Sequence, residues 1–176
     1  MYSPNLKVGI AAVNAGLALL PASFDTRPAR VMLLAIGLQE SLFQFRRQMV
    51  GNPPQPTGPA KSFWQAELGG GIVRGVRLHP SSKKLAEGLY ARFSLPAIDA
   101  AIWNAIENND ALAAALARLL LYTDPKSLPV VGDTEGAWNL YLRTWRPGAW
   151  ARGTDAQKAE LKEKFIAGYR GVIAVV

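Results

Sequence analysis

Residues 27–49 read RPARVMLLAIGLQESLFQFRRQM, and the way this stretch folds organises the rest of the chain. Thr26 precedes it as a capping hydroxyl, and Pro28 falls in the first turn, where a missing N–H costs little. The spacing predicts one helix running to about residue 49. Leu33, Ile36, Gly37 and Phe43 share the face of Glu40, while Val31, Leu34, Ala35, Leu38, Leu42 and Phe45 occupy the opposite one. A helix that is apolar on both faces is buried, so Glu40 emerges from it into a partly desolvated place. Desolvation disfavours the charged carboxylate and raises its pKa, the property a general acid needs near neutrality. The alternative is a glutamate paired with Arg46, Arg47 or a capping group.

On the N-terminal side, residues 8–24 (VGIAAVNAGLALLPASF) are 17 uncharged residues between Lys7 and Asp25. The stretch is short and Ala- and Gly-rich for a spanning helix, which wants about 20 strongly apolar residues. Val8, Ala11, Ala12, Ala15, Leu19 and Leu20 recur at helical spacing, so residues 1–24 are read as a first core-packed helix, with a signal segment as the competitor. On the C-terminal side, GNPPQPTGPA (51–60) holds four prolines and reads as an ordered loop or flap. KSFWQAELGGGIVRGVRL (61–78) suggests short extended pieces around the turn Gly69-Gly70-Gly71. Helices follow at about 82–93, 96–107 and 109–121, then from Thr134 to Arg146-Pro147-Gly148. A last helix opens at Thr154 with Gln157 completing a capping box, and aligns Leu161, Phe165, Tyr169, Val172 and Val176 on one face. The expectation is a mostly α fold in one domain over residues 1–176, with a small irregular or β region after the Glu40 helix.

Composition bounds the chemistry. The 176 residues contain no Cys and one His, which excludes a disulfide scaffold, a thiol nucleophile, cysteine-ligated metals and His-rich sites. His79 has no neighbouring ligand types, so neither a metal nor a cofactor is expected. GGGIVRG lacks the lysine of a phosphate-binding loop and the dinucleotide spacing. Lys plus Arg is 20 against 13 Asp plus Glu, a net charge of +7. Such a surplus suits an anionic partner: nucleic acid, acidic membrane or a bacterial envelope polymer. The charges are scattered, with runs no longer than Arg46-Arg47 and Lys83-Lys84, so nucleic acid is not the expected partner. The carboxylates are scarce where it matters: residues 1–66 contain only Asp25 and Glu40. Asp25 suits a helix start.

GLQESLF (37–43) resembles the catalytic motif of soluble lytic transglycosylases and goose-type lysozymes, a helix ending near an acidic Glu followed by Ser and an aromatic. GPAKSFWQ (58–65) is similar to that superfamily's second motif, with Gln65 matching the cleft-lining Gln and Phe63 and Trp64 standing for its apolar pair. In LLLYTDP, Tyr122 stands where the third motif places the tyrosine that approaches the catalytic Glu. YLRTWRPG (141–148) resembles the aromatic-and-glycine segment that closes the cleft in phage and chitinase-like lysozymes. The compact, Cys-free form also looks like bacteriophage-encoded wall enzymes.

The resemblance implies a lysozyme-like fold and cleavage of the bond between N-acetylmuramic acid and N-acetylglucosamine in peptidoglycan glycan strands. It implies Glu40 as catalytic acid, Ser41 and Tyr122 as orienting groups, and Gln65, Phe63, Trp64, Tyr141 and Trp145 along the glycan. It implies a phage virion or host cytoplasm as the source, with delivery to the cell wall and no stable membrane insertion. An inverting or retaining hydrolase needs a second carboxylate. Between Glu40 and Gln65 there is no acid, and Glu67 is the nearest candidate. A lytic transglycosylase, by resemblance, uses one Glu as acid and then base, leaving a 1,6-anhydro sugar. Ser41 has no apparent His–Asp partner and is expected to hydrogen-bond Glu40. Of Trp64, Trp138, Tyr141, Trp145 and Trp150, about half should be core; Trp64 and Trp145 are expected in the cleft. A non-catalytic phage structural or wall-binding protein of the same fold is the alternative.

Overall fold

The computed structural model describes residues 4–176, so residues 1–3 of the predicted N-terminal helix lie outside the described residues. Helix α1 (Pro4–Leu17) begins before the apolar stretch and stops well inside it. Leu20 and Phe24 still reach the core, Phe24 from a 3₁₀ turn at Ala22–Phe24. Helix α2 (Arg27–Ser41) is capped as the sequence predicts: the Thr26 hydroxyl accepts from the Ala29 amide at 3.3 Å. Its residues 31–37 are all buried.

Helix α2 ends at Ser41 rather than near residue 49. Leu42 and Phe43 both take left-handed backbone, at φ 54° and 54°, and the chain reverses. The reversal drives the buried Phe43 ring against Gly9 of α1 and Gly37 of α2, where a methyl group at either glycine would overlap the ring. Periodicity could not reveal this, because residues 42–49 are compatible with a helix and the ring packing is tertiary. The 44–70 segment that follows is irregular. Isolated bridges pair Arg47 with Lys61, Val50 with Gln55 and Lys61 with Ala66, and no strand forms among the described residues.

The extended pieces expected over 61–78 are instead a turn region followed by a π-helical turn, Gly71–Gly75, which runs directly into the short helix α3 (Val76–Leu78). The amides of Arg74 and Gly75 share the Gly70 carbonyl, at 2.9 and 3.1 Å, and widen the turn. Then come α4 (Lys83–Arg92), α5 (Asp99–Ala105) and α6 (Asp110–Thr123). Helix α6 opens on Asn109, whose side chain accepts from the Leu112 amide at 2.9 Å, and residues 112–121 are all buried. It is the central rod: α1, α2, α3, α4, the π turn and the later α7 (Thr134–Trp145) pack on it. At Gly16, helix α1 comes so close to Ala111 and Ala114 that no Cβ would fit. After α8 (Gly148–Arg152), helix α9 (Asp155–Ile173) carries the predicted Thr154–Gln157 capping box and lies along α2. Phe165, Tyr169 and Val172 are buried, while Leu161 and Val176 remain half-buried. Among the described residues no helix is long and apolar enough to cross a membrane.

Candidate active site

Glu40 sits in the last turn of α2, which packs along α9, and α7 packs on α9 in turn. The Tyr141 hydroxyl of α7 donates to Glu40 Oε1 at 2.6 Å. Lys164 of α9 donates to the Gln39 carbonyl at 3.0 Å, placing its charge beside Glu40. Burial pushes the Glu40 carboxyl up from 4.5 to about 6, against the pull of the Tyr141 hydrogen bond and the Lys164 charge, both of which favour the ionised form. Burial and the Glu40 charge together push the Tyr141 hydroxyl well above the usual phenol range, so it stays a donor.

The alternative pairing with the arginines is not what forms. Arg46 makes a two-pronged pair with Asp110, at 2.8 and 2.7 Å. Arg47 donates to the Gly58 carbonyl at 3.0 Å and faces Glu107 at 3.7 Å. Buried Lys61 completes this tie, reaching Glu107 at 2.7 Å and Asn104 at 2.9 Å over the Trp103 ring. These cations fasten the irregular segment to α5 and the start of α6, leaving Glu40 to its tyrosine.

Glu40 opens into a cleft of about 850 Å³. Gln65, Glu67, Tyr141 and Trp145 line it with Glu40. Gln65 is held at φ 50° and turns its amide onto the Ser62 carbonyl at 2.9 Å; Arg146, on the same wall, is also at φ 50°. Left-handed backbone at non-glycine residues costs of order 1 kcal/mol each and gathers at functional sites.

Several expected roles change. Tyr122 does not orient Glu40: its ring is about half exposed and packs on Phe24 at 4.8 Å, and Tyr141 takes that place instead. Ser41 lines the cleft but does not bond the carboxylate. Its hydroxyl donates to the Phe63 carbonyl at 2.8 Å and accepts from the Phe43 amide at 3.2 Å, fastening the end of α2 to the 61–66 turn. Phe63 and Trp64 are buried and cannot stack on a sugar. They form an edge-to-face cluster with Phe43, and the Trp64 indole donates to the Leu33 carbonyl at 2.9 Å. Trp64 acts on the cleft indirectly: its carbonyl accepts from the Trp145 indole at 3.1 Å and so positions that wall. Trp138 is core and Trp150 half-buried against it.

Sequence reasoning missed Gln39 and Lys164. Gln39 is buried and donates to the Leu161 carbonyl at 3.3 Å, bridging α2 to α9. Lys164 carried no signal, since nothing in its own helix says which face meets α2. No group of three or more potential metal ligands occurs among the described residues. No protein-family model matches the chain, and neither the curated proteins nor the solved structures contain a match.

Proposed function

We propose that the protein cleaves the glycan strands of peptidoglycan between N-acetylmuramic acid and N-acetylglucosamine, with Glu40 as the general acid and base. The observation that carries this reading is a single partly desolvated carboxyl, held at about 6, at the side of a cleft of about 850 Å³. At pH 7 such a group is protonated about a tenth of the time, enough to donate a proton and then act as a base.

The Tyr141 O–H holds Oε1, so Oε2 is the atom that carries the proton. Its transfer to the glycosidic oxygen breaks the bond and frees the 4-hydroxyl of N-acetylglucosamine. In the transglycosylase reading, ionised Glu40 then takes the proton of the muramic acid C6 hydroxyl as that oxygen closes on C1, giving a 1,6-anhydro sugar. One shifted carboxyl is sufficient for both transfers. In the hydrolase reading Glu67, the other carboxylate on the cleft wall, activates water. Gln65 and Trp145 line the glycan path, and the +7 charge favours an anionic wall. A bacteriophage-borne wall enzyme is the biological setting that fits this reading.

The test is digestion of purified sacculi with mass spectrometry of the products. Anhydro-muropeptides support the transglycosylase, and reducing ends support the hydrolase. Sedimentation with sacculi and no release of fragments refutes catalysis and favours a wall-binding protein.

A further inference from the structure

Beyond Arg152 the cleft continues into a second hollow of about 390 Å³, which shares Gly148, Ala149, Arg152 and Leu161 with it. The hollow adds Gly153, Gln157, Glu160 and Lys164. Its cations are unequally engaged. Lys164 is spent on the Gln39 carbonyl and the field of Glu40. Arg152 makes no hydrogen bond or ion pair with a described residue, although it lies within the rim.

Arg152 is exposed and ends α8 beside two glycines, Gly148 and Gly153. The guanidinium folds down over Gly148 in the first turn of α8, with a nitrogen 2.5 Å from where a Cβ would stand. A Cβ at Gly153 would stand 2.5 Å from the Ala149 carbonyl, so the tight exit of α8 needs glycine. An uncommitted arginine seated over glycine at the junction of two cavities is a fork for a planar anion.

We infer that this hollow takes a carboxylate carried on a side branch of the cleaved polymer, and that Arg152 holds it. The inference rests on the proposed peptidoglycan reading and adds a subsite to it. In that polymer the carboxylate comes from the peptide stem or, where the peptide is absent, from the lactyl group of muramic acid. Two hydrogen bonds from the fork account for about a tenfold gain in affinity.

Binding is measured with a Glu40→Gln protein, so that no ligand is consumed. The probes are soluble glycan fragments bearing peptide stems, the same fragments with their carboxyls methyl-esterified, and strands freed of peptide, free-acid or esterified. The parent is expected to bind the free-acid fragments about tenfold more tightly than the esterified ones. Arg152→Gln should remove that preference while leaving the esterified fragments bound as before, and Arg152→Lys should restore part of it. The preference seen only with stems assigns the carboxylate to the peptide; the preference kept on stripped strands assigns it to the lactyl group. If Arg152→Gln binds all fragments as the parent does, or the parent shows no preference, the subsite is refuted and the glycan reading stands. If no fragment binds the parent at all, the glycan reading fails, and the subsite with it.

Discussion

Replacing Glu40 by Gln should stabilise the protein at alkaline pH and leave acid stability unchanged. A carboxyl whose folded pKa is about 6, against 4.5 in the unfolded chain, is easier to ionise when unfolded. Below pH 4.5 it is protonated in both states and costs nothing. As pH rises through 6, ionisation penalises the fold, up to about 2 kcal/mol once both states are charged. Gln keeps the shape and offers an amide oxygen to the Tyr141 hydroxyl, but never ionises. Other titrating groups are common to both proteins, so their difference isolates this one. Urea unfolding across pH 4 to 8 reads it directly. The variant should gain about 2 kcal/mol over wild type between pH 4 and 8, roughly 1 M in midpoint. A difference that is flat with pH, or that turns in favour of wild type as pH rises, would refute the burial argument for Glu40.

Tyr141→Phe removes the hydrogen bond that favours ionised Glu40, so the alkaline limb of the pH–rate profile should move to higher pH. A limb that stays in place would mean that the bond is not tuning the acid. Trp64→Ala should cost about 3–5 kcal/mol by thermal or urea unfolding, because the ring is enclosed with Phe43 and Phe63. A loss below about 1 kcal/mol would show that Trp64 is the exposed platform its sequence context suggested.

The helical layout was legible because caps and apolar spacing agree locally: Thr26 and Thr154 start helices in both readings. Glu40 was legible for the same reason, as a charge embedded in a helix with two apolar faces. The early end of α2 was not, since it depends on Phe43 finding Gly9 and Gly37, contacts that span from 6 to 34 residues. The tyrosine was misplaced for a related reason. Tyr122 and Tyr141 lie on different helices, and only the packing of α7 and α9 around the end of α2 decides which reaches Glu40. Trp64 drew attention by its motif neighbours, yet its indole N–H bonds a helix carbonyl. An aromatic beside a cleft is as useful for holding a wall as for touching a ligand.

The central claim is that Glu40 supplies the proton for glycan cleavage. Release of soluble muropeptides from purified sacculi, compared at equal concentration for wild type and Glu40→Gln, tests it most directly. The proposed role predicts steady release by wild type and a loss of about a hundredfold to ten-thousandfold in the variant, the order expected when a general acid is removed. Equal release by the two proteins would contradict it.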